Sequence, residues 1–194
     1  MLINRMKIPY NIILASQSPR RQELLRSLNI SFVCKPVLVE ETYPAGLVAN
    51  EITEYLAKKK SSHFGNVKSK DLLITADTIV WKKDHPLEKP KNIEEAKKFL
   101  REISNTDHTV YTSVGFTTSE GTKIFTDSAK IYLSELSDEE IDFYITNYRP
   151  LDKAGSYGIQ DWIGLSKIYK IEGSYYTIMG LPTHIVYEYL KSIK

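Results

Sequence analysis

Apolar positions recur along this chain with two periods, and the switches between them mark out its elements. Ile12-Ile13-Leu14-Ala15 is an unbroken apolar run of strand length. Behind it Ser18 is a good N-cap, Pro19 suits a first helical position, and Leu24, Leu25 and Leu28 form a helical stripe. Residues 31–39 read as a second strand running into Glu40-Glu41, and residues 50–63 as a helix. On that helix Ile52, Leu56, Lys60 and His63 fall on one face, so Lys60 belongs to the buried side while Lys58 points elsewhere. Residues 72–81 are apolar except for a break at Asp77, the pattern of a central strand. Asn92 caps a helix with a core face of Ala96, Phe99, Leu100 and Ile103, and Glu95 completes a box-like start. Residues 108–118 and 123–133, joined through Ser119-Glu120-Gly121-Thr122, predict a hairpin. Ser137-Asp138-Glu139-Glu140 is a capping box for a helix ending before Pro150. A glycine-containing loop over residues 152–160 leads to strands near 166–171 and 175–179, and a last helix follows Pro182.

The junction after the first strand carries the strongest chemical signal. A helix N-terminus has free N–H groups and partial positive charge, so acidic residues are favoured there. Arg20 and Arg21 break that rule. The natural compensation is a phosphate held by N–H groups, the hydroxyls of Ser16 and Ser18, and the guanidinium forks; the plainer reading is two solvated surface charges. Asp77 is the second signal, because an ionised carboxylate among Leu72, Leu73, Ile74, Ile79 and Val80 is costly to desolvate without a partner. It is expected at a strand end, holding a divalent cation, acting as general base toward water, or simply accepting backbone hydrogen bonds from a loop.

The remaining candidates depend on convergence. Glu40 and Glu41 are solvated unless they keep company with Asp77. Lys60 and Lys89 add to an anion site if they reach it; Lys89 precedes a proline and so favours extended backbone. Gln160 offers both donor and acceptor, the chemistry for reading a base edge. The four histidines show no metal-ligand spacing, and thirteen tyrosines without an interleaved basic pattern suit core and rim.

Composition narrows the classes. With 26 basic and 24 acidic residues among 194, the chain is no polyelectrolyte, so wholesale nucleic-acid binding is not implied. The length suits one large domain, without repeats or a clear linker. Cys34, the single cysteine, forms no internal disulfide and suits a reducing cytosol as a small buried hydrophobe. Residues 1–10 show no signal-peptide core, and no apolar run approaches membrane-spanning length.

Several motifs in order resemble the Maf family of nucleoside triphosphate pyrophosphatases: Leu14-Ala15-Ser16-Gln17-Ser18-Pro19-Arg20-Arg21, Ala76-Asp77-Thr78-Ile79-Val80 and Leu87-Glu88-Lys89-Pro90. Further along stand His108-Thr109-Val110, Asp152-Lys153-Ala154-Gly155-Ser156-Tyr157-Gly158-Ile159-Gln160 and Gly180-Leu181-Pro182. The resemblance covers nearly the whole chain. It implies one α/β domain over residues 1–194, with a mixed elongated sheet, flanking helices and a cleft between two lobes, similar to inosine triphosphate pyrophosphatases. It also implies a cytoplasmic enzyme, often a homodimer, that hydrolyses a nucleoside triphosphate to monophosphate and pyrophosphate with a divalent cation, Mg²⁺ or Mn²⁺.

Carried over by position, the resemblance makes Asp77 the proton acceptor for the attacking water. Glu41 and Asp77 would hold the cation, and Arg21, Lys60 and Lys89 would grip the triphosphate. Arg20, Thr78 and Gln160 match positions tied to base selectivity, and the late loop is similar to the branch acting on dTTP and UTP rather than 7-methyl-GTP. Three positions depart from the common pattern: Asn105 and Ser113 stand where glycine is usual, and Asp161-Trp162 follows Gln160 where glycine is common. The Trp162 ring is expected beside the base pocket. Two rival classes are a ligand-gated regulatory module linked to cell division, which would not need Asp77, and a single-strand nucleic-acid binder, which would need a longer basic stripe.

Overall fold

The computed structural model describes residues 8–193. Most of the 1–10 segment read as lacking a leader core lies outside them. Strand β1 (Asn11–Leu14) pairs in parallel with β2 (Phe32–Cys34) on one side and with β3 (Asp71–Lys82) on the other. The remaining strands are β4 (His85–Leu87), β5 (Asp107–Thr118), β6 (Gly121–Leu133) and β7 (Ile168–Glu172). Together they form a seven-stranded sheet in the order β2-β1-β3-β5-β6-β7, with β4 pairing antiparallel to β3 and β7 antiparallel to β6. Parallel and antiparallel pairs coexist, so the fold is mixed α/β with flanking helices.

Seven α-helices lie among the described residues, five between strands and two after the last: α1 (Pro19–Ser27), α2 (Asn50–Phe64), α3 (Ile93–Ile103), α4 (Asp138–Tyr148), α5 (Trp162–Ser166), α6 (Tyr175–Ile178) and α7 (Thr183–Ser192). Their starts follow local chemistry. The Ser18 hydroxyl accepts from the Arg21 N–H, the Asn92 side chain from Glu95 N–H, and Ser137 with Glu140 closes a full capping box. Asn105 takes the left-handed conformation at φ 52°, as its short polar side chain permits. No helix among the described residues is long and apolar enough to cross a membrane.

The chain divides into two compact units. The first gathers the described residues up to Asp77 with Thr112–Asp127 and the segment from Gly180 on; the second is Thr78–Tyr111 with Ser128–Met179. Within the first, Ile13, Ala15 and Leu73 pack under Val37, Phe64 and Val67, and the Phe116 ring stacks on Tyr189 at 3.9 Å. Within the second, α3 and α4 bury Leu100, Ile103, Ile141 and Tyr144 against Val110 and Ile131 of the strands.

Four expectations need correction. The second strand stops after three residues, because Pro36 has no N–H for a ladder and the last bond is Lys35 N–H to the Leu14 carbonyl. The 175–179 segment is a helical turn, α6: the Ser174 carbonyl accepts from the Thr177 and Ile178 N–H groups after the chain reverses at Gly173, φ +121°. His63 is exposed at the end of α2, whose buried face is centred on Thr53, Leu56, Ala57 and Lys60. Cys34 is half-buried, and its thiol donates to the Ser16 carbonyl at 3.1 Å.

Candidate active site

The loop from β1 to α1 is shaped by its own serines. The Ser16 hydroxyl accepts from the Ser18 N–H at 3.2 Å and the Ser18 hydroxyl caps α1, so both side chains set the backbone path into the helix. That path aims Arg21 inward. Its Nε donates to the Gly180 carbonyl at 2.7 Å and its Nη1 to the Ala76 carbonyl at 3.0 Å. The β1 ladder with β3 ends at Ile74, so the guanidinium meets a carbonyl two residues beyond the strand pairing. Burial lowers the Arg21 pKa, against the pull of Asp77 and Glu41 and with the push of Arg20.

Asp77 does not sit at a strand end. It lies in the middle of β3, 4% exposed, and its charge is met from another element. The Lys60 ammonium, buried on α2, lies 2.5 Å from Asp77 Oδ1 and 2.8 Å from Glu41 Oε1, and donates to the Ala76 carbonyl at 3.5 Å. Burial raises the Asp77 carboxyl above its ordinary pKa, and Lys60 and Arg21 hold the rise in check. Glu41 is brought in by a neighbour that sequence reasoning passed over. Lys59 grips the preceding loop at the Glu40 and Thr42 carbonyls, 2.9 and 2.7 Å away, while Lys58 is exposed. The three consecutive lysines were the available signal. Glu40 itself is exposed.

The helix that carries Lys60 is fastened to β5 and β6 by hydroxyls. Ser113 Oγ lies 2.6 Å from Thr53 Oγ1 and 2.7 Å from Thr126 Oγ1, Thr126 donates to Glu54, and Thr53 donates to the Asn50 carbonyl. Ser113, one of the departures from glycine, is thus the centre of a buried polar chain. About two turns on, Ser61 bonds Thr117. Gly115 lets the layers meet: a Cβ there would come within 2.6 Å of Thr75 Oγ1, whose hydroxyl is committed to the Ala57 carbonyl.

Thr78, Lys89 and Gln160 belong to the second unit. Thr78 and Gln160 are half-buried, and Lys89 is exposed ahead of the buried Pro90. The Gly155 N–H donates to the Glu88 carbonyl at 3.2 Å, joining the Gln160 loop to the Lys89 segment. Trp162 opens α5 and packs edge-on against Phe143 of α4, ring centroids 5.3 Å apart. Of the predicted residues, Arg21, Lys60, Glu41 and Asp77 converge in the first unit, and Ser16 and Ser18 shape the loop beside them.

Two carboxylates gathered on one ammonium form an oxygen-rich pole of the kind a hard divalent cation uses. No group of three His, Cys, Asp or Glu residues converges among the described residues.

The Maf-like protein family model matches residues 11–193. A dTTP/UTP pyrophosphatase of Flavobacterium johnsoniae is 48% identical over 194 residues, covering 100% of each chain. One of Bacteroides thetaiotaomicron is 45% identical over 186 residues, 95% of this chain and 96% of its own. Among solved structures, a HAM1 protein from Coxiella burnetii aligns at 18% identity and TM-score 0.43, over 64% of this chain and 73% of its own. The full-length match and the identity to these relatives show that the chain belongs to the Maf family.

Proposed function

We propose that this chain is a nucleoside triphosphate pyrophosphatase that hydrolyses dTTP and UTP to the monophosphate and pyrophosphate, the activity named for its relatives. The observation that carries the reading is the cluster in which Asp77, buried in mid-strand, faces Lys60, Glu41 and Arg21. Burial raises the Asp77 pKa, which makes its carboxylate a stronger proton acceptor than an exposed one. Water attacks the α-phosphorus, its proton passes to the Asp77 carboxylate, and the α–β anhydride P–O bond breaks with pyrophosphate leaving. Arg21, Lys60 and Lys89 neutralise the triphosphate, and Arg20, Thr78 and Gln160 read the base.

Asp77 and Glu41 are the residues that would hold Mg²⁺ or Mn²⁺. When bound, the cation offsets the charge of the phosphates and of the leaving group. Lys60 occupies the pole between the two carboxylates, 2.5 Å from Asp77 Oδ1 and 2.8 Å from Glu41 Oε1. We read residues 1–194 as one catalytic domain, cytoplasmic in keeping with its lone thiol and, by the family resemblance, a homodimer. Pyrophosphate release across a panel of dTTP, UTP, CTP, ATP, GTP and 7-methyl-GTP tests the proposal. Rapid turnover of dTTP and UTP supports it; binding without turnover would instead mark a regulatory module.

A further inference from the structure

Gln160 sits in a tight turn: the Asp161 N–H donates to the Gly158 carbonyl at 3.0 Å, with Ile159 and Gln160 between them. That turn is held at both ends by one side chain. The hydroxyl of Tyr144, a fully buried residue of α4, accepts from the Gly158 N–H at 3.0 Å and donates to Asp161 Oδ2 at 2.9 Å. Burial raises the Tyr144 pKa, so the phenol keeps the proton it donates. Two glycines make the clamp possible. A Cβ on Gly158 would meet Asp161 Oδ2 at 2.5 Å and the Gln160 Nε2 at 3.0 Å, so the carboxylate and the amide both fold over bare backbone. A Cβ on Gly164 would strike the Ile159 carbonyl at 1.7 Å, so α5 presses directly on the other flank of the turn. Lys153 lies 3.8 Å from the same Asp161 oxygen.

We infer that Tyr144 and Asp161 are positioning residues for base selection: they fix the turn that presents the Gln160 amide, and so set the preference for uracil and thymine over cytosine. The inference rests on the base-reading role proposed for Gln160. An amide that discriminates donor–acceptor order must be held to a fraction of an ångström, because a misaligned pair leaves buried groups unsatisfied for every base alike.

The test is steady-state kinetics on UTP and CTP with Tyr144→Phe, Asp161→Ala, Gln160→Leu and the Tyr144→Phe/Gln160→Leu double variant, each checked for its melting temperature. Tyr144→Phe and Asp161→Ala should each lower the UTP-over-CTP preference about 10-fold, mainly by raising KM for UTP, with kcat within about 2-fold of the parent. Asp161→Asn, which keeps an acceptor, should retain most of the preference. Once Gln160 is leucine, Tyr144→Phe should change the preference by less than about 2-fold. If Gln160→Leu narrows the preference while Tyr144→Phe and Asp161→Ala leave it intact, or lower kcat for both nucleotides equally, the clamp is structural only and the inference is overturned. If Gln160→Leu leaves the preference unchanged, the base-reading role falls and this inference with it.

Discussion

The Lys60 ammonium lies 2.5 Å from Oδ1 of Asp77, and both side chains are buried. A pair of this kind is costly to split, since removing one partner strands a desolvated charge. It also keeps the carboxylate available, because without Lys60 and Arg21 burial would raise its pKa further.

Replacing Asp77 with asparagine keeps its size and removes its charge. Pyrophosphate release should fall at least ~100-fold while nucleotide binding survives, as equilibrium binding would show. A folded variant releasing pyrophosphate at the parent rate rules out the general-base role. The base works ionised, so in the parent kcat/KM should rise with pH along a limb lying above the ordinary carboxylate value of about 3.9. Stability runs the other way. A raised carboxyl pKa favours the folded state most below the unfolded value, and that contribution fades as pH rises through the folded one.

Arg21 joins two backbone carbonyls as well as facing the carboxylates, so its loss should show twice. Arg21→Ala should cost roughly 2 to 3 kcal/mol in kcat/KM and also lower the melting temperature. Arg21→Lys should restore part of each, because an ammonium lacks the planar fork. Parental values of kcat/KM in both variants would show that the guanidinium plays no part in turnover.

Uracil and thymine present acceptor, donor, acceptor along O2, N3–H and O4, and a glutamine amide meets an adjacent donor–acceptor pair in register. UTP and dTTP should therefore be hydrolysed well ahead of CTP, ATP and GTP, and Gln160→Leu should narrow the gap by slowing the preferred substrates. Equal kcat/KM for UTP and CTP in the parent would refute the base-reading role while sparing the pyrophosphatase assignment.

His108 offers a test unconnected with catalysis. Its ring is buried, bonded to the Tyr157 hydroxyl at 2.6 Å, and burial together with the Lys82 charge pushes its pKa down to about 3. The unfolded chain takes up that proton near pH 6.5 and the folded one does not, so stability is lost as pH falls between those values, by up to about 1.4 kcal/mol per pH unit. Urea unfolding from pH 7 to pH 4 should show this slope, and His108→Gln should flatten it. An unchanged slope would mean that another group governs the acid limb.

Local chemistry announced most of the elements. Caps at Ser18, Asn92 and Ser137 and apolar periodicity locate α1, α3 and α4 from sequence, because each depends on residues within a turn of one another. What stayed hidden depends on distant partners. The desolvation cost of a carboxylate among apolar neighbours points Asp77 to a strand end, whereas the partner that lets it sit in mid-strand comes from α2. The strand expected over residues 175–179 is a helical turn whose N–H groups bond back to the Ser174, Tyr175 and Thr177 carbonyls. The run of three lysines is the one signal for Lys59 and Tyr144 carries none, since one acts on a loop nineteen residues back and the other on a turn fourteen residues ahead.

The hydroxyl chain through Thr53, Ser113 and Thr126 also governs how far the helix above it can drift. Apolar faces tolerate sliding, because one methyl serves nearly as well as the next. Paired hydroxyls at 2.6 and 2.7 Å work like the teeth of a ratchet, and a slip of one helical turn, about 5.4 Å, would break every one of them. Lys60 is therefore indexed along the sheet from two turns away, and the short distance to Asp77 becomes a fixed dimension of the protein rather than the average of a moving part.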